Sequence, residues 1–242
     1  MLALTLLLVF FTHTLGGVAA FGSALLTLPL LLGIGWDLRP AVALILILGL
    51  AQSAHLALQS GRATDGRPLG AILIFAGLIG VPLGFLSVSL LPERGLDLAL
   101  GLVLIGGGAS RLWEQRLGRD LTAPVWLLRG LLVLGGLIHG AFGSGGAALA
   151  VYARFVFKDK ETFRGTLAVM WVLLNIGMLT GLYLEGRLTG TVWATALPGI
   201  PVVFLATALA HRLAHHLSRE QFGSVVAGLL CLAGVMTLLR AF

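Results

Sequence analysis

Charged side chains are scarce in this sequence: they make up 11% of its 242 residues, against 58% apolar. A soluble domain carries about a quarter charged residues to cover its surface, so a water-facing exterior is excluded and the outer surface must meet lipid. Cysteine is nearly absent as well. Cys231 is the only one and lies in an apolar run, which excludes a disulfide framework and a thiolate metal site. No basic cluster marks the N-terminus, Met1-Leu2-Ala3-Leu4, and no polar mature domain follows it, so the segment reads as retained and not as a cleaved signal peptide. The cations form no basic run interleaved with polar surface, and the formal charge of +6 therefore reads as loop charge that sets membrane orientation. Nucleic acid is excluded as a partner, no cofactor is implied, and the expected partners are lipid, a small solute and, in a homodimer, a second copy of the chain.

What the chain has in place of charge is 34 glycines and long apolar stretches. Small residues let membrane helices approach closely, and a span needs about 20 apolar residues. Charge-free stretches of that size run over 41–60, 69–91, 165–184, 188–210 and 221–239, and a shorter one at 96–113 tolerates Asp97 and Arg111 near its ends. Residues 1–36 and 125–153 do not fit this ruler: each is too long for one span and short for two. Both have Gly-rich centres, Gly16-Gly17 with Phe21-Gly22-Ser23, and Gly135-Gly136 with Phe142-Gly143-Ser144-Gly145-Gly146.

The basic residues decide how these two stretches cross. If each is a single span, the sixteen Lys and Arg divide eight to eight between the two sides, against the tendency of cytoplasmic loops to hold the positive charge. If each is a hairpin, one side holds only Arg39, Arg94, Arg187 and Arg240, and the other holds the remaining twelve of sixteen. The hairpin arrangement is the one with a bias. It places both termini outside the cytoplasm of a cell inner membrane, and it opens the first hairpin outward and the second inward.

Each half then reads as a hairpin followed by three spans. Leu15-Gly16-Gly17 returns as Leu134-Gly135-Gly136, Phe21-Gly22-Ser23 as Phe142-Gly143-Ser144, Ser60-Gly61-Arg62 as Glu185-Gly186-Arg187, and Gly80-Val81-Pro82 as Gly199-Ile200-Pro201. The matches keep their order, and their offsets run from 119 residues (15 to 134) to 125 (60 to 185). Three net crossings per half is odd, so the second copy is inverted, a recurring transporter design with the substrate held near the midplane. The expected fold is an all-α polytopic membrane protein with an inverted-topology repeat, each half a broken or re-entrant helix hairpin plus three transmembrane helices, the charge count leaving open whether each hairpin spans fully or dips partway. Its parts are an N-terminal repeat over 1–113, a cytoplasmic linker over 114–123 and a C-terminal inverted repeat over 124–242.

Two Gly-rich turns, each followed by a helix that begins at a basic step, carry a family resemblance. Phe142-Gly143-Ser144-Gly145-Gly146 with Arg164-Gly165-Thr166-Leu167, and Phe21-Gly22-Ser23 with Arg39-Pro40-Ala41-Val42-Ala43, resemble the TauE/SafE family of sulfite and organosulfonate exporters over nearly the whole chain. The first half departs from the pattern, its run of glycines being reduced to Gly22-Ser23-Ala24. The resemblance implies a secondary transporter, and no enzyme.

The turns hold Thr12, His13 and Ser23 in one half and His139 and Ser144 in the other. A helix that starts at such a turn aims free N–H groups and the positive end of its dipole into it. Gly22, Ser23, Gly143, Ser144, Gly145 and Gly146 are therefore candidate anion ligands, the alternative being that the glycines only let the hairpin pack. Gln52 and Asn175 fall at equivalent places when Ala43 is aligned with Thr166; both can donate amide bonds to an oxyanion, or bond between helices instead. His13, His55 and His139 are candidates for coupling or gating. Arg39 and Arg164 stand where they can draw anions into either vestibule, with Asp37 placed to neutralise Arg39. His211, His215 and His216 near Arg212 have a metal-like spacing but no acidic or thiol ligand, so no metal site is expected. Two rivals remain open: an intramembrane hydrolase built on Ser144 and His139, and a passive anion channel.

Overall fold

In a computed structural model the chain is described over residues 1–19, 23–60, 63–116, 122–157, 159–213 and 219–240. These residues form helices and no strands. The first stretch without charge divides into α1 (Leu2–Ala19) and α2 (Ser23–Gly33), followed by α3 (Leu38–Ser60). The next span is one helical rod in three parts: α4 (Gly66–Ile72), a π-helical stretch (Leu73–Gly80) and α5 (Val81–Leu90). Then come α6 (Glu93–Arg116), α7 (Val125–Phe142), α8 (Gly146–Val156), α9 (Lys160–Leu184), α10 (Gly190–Leu213) and α11 (Arg219–Arg240).

Among the described residues five stretches are long and apolar enough to cross a membrane: Leu38–Gln59, Gly66–Leu90, Val125–Phe142, Glu161–Leu184 and Gly190–Leu213. They present large apolar side chains outward, Leu58 at 89% exposure and Leu78 at 75% among them. No water-soluble surface bears such a belt. By contrast α2 and α8 have 11 residues each, a rise of about 16 Å, half of the roughly 30 Å hydrocarbon layer.

Packing is by small residues. The α7 backbone lies against the π-helical stretch and α5, where a side chain on Gly136 would strike the Ala76 carbonyl and one on Gly140 the Val81 carbonyl. From the other side Gly80 and Gly84 meet Val133 and Leu137. Likewise Gly101 and Gly234 let α6 and α11 touch along their length. Such contacts are what bind helices where lipid removes the hydrophobic drive.

The pairing pattern has an internal correspondence. Helix α1 packs on α10, and α7 packs on the π-helical stretch and α5; α2 packs on α11, and α8 packs on α6; α3 pairs with α9 and α6 with α11. The innermost element is α3, whose residues Ala41 to Leu48 are all buried, as an all-round apolar helix must be. On the loops, Asp65 caps α4 by accepting from the Arg67 N–H, and Asp159 caps α9 by accepting from the Thr162 N–H at 2.8 Å. That bond holds the Asp159 carboxyl below the usual carboxylate range.

Candidate functional site

The turn between α7 and α8 is built by Gly143, whose φ of +66° ends α7 in the left-handed region that glycine alone enters freely. Its N–H closes on the His139 carbonyl at 2.7 Å. Gly145 then lets α8 fold back: a side chain there would strike the Gly135 carbonyl and come within 2.9 Å of the His139 Cβ. The closure of the hairpin therefore requires this glycine. Gly146 opens α8, and no side chain caps the helix, so the N–H groups of its first turn have no partner within the helix.

Into this turn the fold buries two polar side chains without satisfying them. His139 is 1% exposed and Ser144 3%, yet neither ring nitrogen of His139 nor the Ser144 Oγ has a hydrogen-bond partner among the described residues. Each such orphan costs on the order of 1–3 kcal/mol, and a native chain keeps it where something else supplies the partner. Trp171 of α9 stands beside the imidazole, ring centres 5.2 Å apart. The two orphans do not bond each other, so no Ser–His dyad is formed.

The matching turn of the first half is different in kind. Ser23 starts α2 so close to α1 that a Cβ on Gly16 would lie 2.6 Å from its own, and its carbonyl accepts from the Thr27 Oγ1 at 2.7 Å. Thr27 and Thr12 bond through their hydroxyls at 2.7 Å, and the His13 Nδ1 donates to the Val9 carbonyl at 3.0 Å. The side chains of Thr12, His13 and Thr27 are each hydrogen-bonded here. Gly22 lies outside the described residues, as does Phe21.

The two half-length helices converge. A point where a Cβ on Gly107 of α6 would sit is 3.5 Å from the Ala147 Cβ of α8 and 3.6 Å from the Leu25 Cδ1 of α2. Sequence reasoning passed over this residue, although the run Gly106-Gly107-Gly108 in the middle of a span was visible. Nor did it give a place at the turn to Val42, named only within its motif, or to Leu46, both of α3, which lie 3.4 and 3.5 Å from where a Cβ on Gly143 would be.

The amide pair separates. The Gln52 Nε2 donates to the Thr207 Oγ1 of α10 at 3.0 Å. Asn175 is buried beside Gly49 of α3, and its amide makes no hydrogen bond among the described residues. His55 is exposed, bonded to Gln59 at 3.0 Å and set against Phe204, so the fold does not bring it to either turn. Arg164 is exposed at the start of α9, and Thr166 of the same motif accepts from the Asp65 N–H at 3.0 Å, pinning the loop before α4. His211 is exposed at the end of α10; His215 and His216 lie outside the described residues. Arg39 is half-buried and bonds the Val88 carbonyl at 3.5 Å, with no ion pair to Asp37, because the chain turns into α3 between them.

No curated protein and no solved structure matches this chain. A family model does, that of the sulfite exporter TauE/SafE, over residues 5–237. With a match of that extent over an all-helical, lipid-facing fold, the chain belongs to the TauE/SafE sulfite exporter family of membrane transporters.

Proposed function

We propose that this protein exports a small oxyanion, sulfite or an organosulfonate, across the inner membrane, and that the anion binds at the α7–α8 turn. The observation that carries the reading is the pair of buried, unpartnered side chains, His139 and Ser144, at the uncapped start of a half-length helix. An oxyanion there accepts bonds from the Ser144 hydroxyl, one His139 N–H and the first N–H groups of α8, and the helix dipole stabilises its charge. Asn175 supplies a further donor from α9. In the first half the Ser23 hydroxyl and the α2 terminus are left to face the anion, because Thr12, Thr27 and His13 are already bonded.

In this reading residues 1–113 and 124–242 are inverted copies joined by 114–123, the hairpins are re-entrant, and both termini lie outside the cytoplasm. The swapped helix pairings and the equal lengths of α2 and α8 support it, as does the distribution of Lys and Arg. A hydrolase is disfavoured because Ser144 and His139 form no dyad. The test is sulfite and sulfonate flux from proteoliposomes containing Ser144→Ala. A loss of flux with intact insertion is expected. Unchanged flux and unchanged substrate affinity would remove the turn from the binding site.

A further inference from the structure

A cleft opens beside the α7–α8 turn, where the start of α3 meets the C-terminal ends of α5, α7 and α9. Its floor is Gly140 and Ala141, the last turn of α7 before the Gly143 turn, and its wall Val42 also touches Gly143. Only a few residues therefore separate it from Ser144. At its mouth stand Arg39, Ser89, Glu185 and Arg187. The Gly186 left-handed turn (φ +67°) folds Arg187 back so that its N–H reaches the Leu182 carbonyl, and its guanidinium pairs with Glu185 at 2.5 Å. That pair cancels. Arg39 has no ion pair among the described residues, so the mouth carries one uncompensated positive charge. Phe85 lines the cleft as well, its ring lying against α9, 3.5 Å from where a Cβ on Gly181 would sit. What space remains is about 20 Å³, room for roughly one water molecule and too little for an oxyanion.

We propose that the Arg39 cleft is a second oxyanion station, on the non-cytoplasmic face, and that Phe85 closing against Gly181 is the gate between it and the α7–α8 turn. The inference rests on the proposed export of an oxyanion. The Arg39 guanidinium offers a planar fork that binds two oxyanion oxygens at once, and the Ser89 hydroxyl adds a donor. Phe85 seals the path with an apolar ring that neither solvates nor binds the anion. Gly181 has no side chain to hold the ring in place, so a rotation of Phe85 opens the route without moving a helix.

The experiment uses the full chain in nanodiscs, where both faces are open, with Cys231→Ala and Ala141→Cys. The readout is the rate at which a charged thiosulfonate reagent modifies Cys at position 141, with methanesulfonate as an oxyanion probe inert to that reagent. Modification is expected to be slow with Phe85 present and several-fold faster with Phe85→Ala or, as a smaller change, Phe85→Leu. Methanesulfonate is expected to protect, and the protecting concentration is expected to rise about tenfold with Arg39→Gln and to recover only in part with Arg39→Lys, which restores the charge but not the planar fork. Rates indifferent to Phe85, or protection indifferent to Arg39→Gln, would overturn the proposal. Sulfite flux through Ser144→Ala separates the two readings. Flux lost there with protection unchanged by Arg39→Gln sinks the station alone, whereas normal flux with Arg39-dependent protection sinks the turn and leaves the station.

Discussion

Two amides at matched places in the halves have different surroundings, and this gives a test at the scale of single residues. Gln52 spends its amide on Thr207, a helix-to-helix bond of the kind worth about 0.6 kcal/mol within a membrane. Asn175 lies beside Gly49, its amide without a hydrogen bond among the described residues. Gln52→Leu is therefore expected to lower thermal stability slightly and leave substrate affinity unchanged. Asn175→Leu is expected to weaken binding by about 1–3 kcal/mol, the range for a lost bond to a charged group. Affinity titrations alongside thermal unfolding check this, and a loss of affinity in Gln52→Leu equal to that in Asn175→Leu would contradict the assignment. The sequence could name both residues, but it could not divide them, because the division depends on which helix each one faces.

At the scale of elements, each apolar stretch read from the sequence became helix, and the two that failed the span ruler became helix pairs with turns near Ser23 and Gly143. Charge made that legible, since a loop in water advertises itself with Arg or Asp. The half-length of α2 and α8 was not legible, because a turn buried in protein carries no charge to mark it. The closing role of Gly145 was hidden for a related reason: its lack of a side chain suits ligand approach and hairpin closure equally, and only the fold reveals the Gly135 carbonyl beside it. The continuous stretch 69–91 likewise gave no hint of its π-helical middle, where the Val81 N–H reaches back to the Ala76 carbonyl next to Pro82. If α2 and α8 are re-entrant in inverted halves, the residues that follow them lie on opposite faces. In a Cys231→Ala background, Asp37→Cys is then expected to label only from outside the cell and Glu161→Cys only from the cytoplasm. Labelling of both from one face would end the inverted arrangement.

For the molecule as a whole the question is what drives the anion. The cytoplasm is electrically negative, so a monoanion leaving it gains about 2.3 kcal/mol per 100 mV, and a dianion about twice that. Export along this gradient needs no coupling ion. The apolar stretches 41–60, 69–91, 165–184, 188–210 and 221–239 agree, for they contain no Asp, Glu or Lys of the kind that relays protons or holds sodium. Of the histidines named for coupling, His55 is exposed and bonded to Gln59, and His13 is bonded to the Val9 carbonyl. That leaves His139, whose two nitrogens have no partner among the described residues and which the proposed site uses as a ligand. An imposed potential, negative on the side that holds sulfite, is therefore expected to speed efflux from proteoliposomes with no pH gradient present. Were the flux to ignore the potential and follow a pH gradient, the proton would have to travel with the anion, and His139→Gln would be the variant expected to uncouple them. Such a result would keep the site and change the energetics, because a neutral imidazole that takes up a proton beside a bound oxyanion turns a ligand into a carrier.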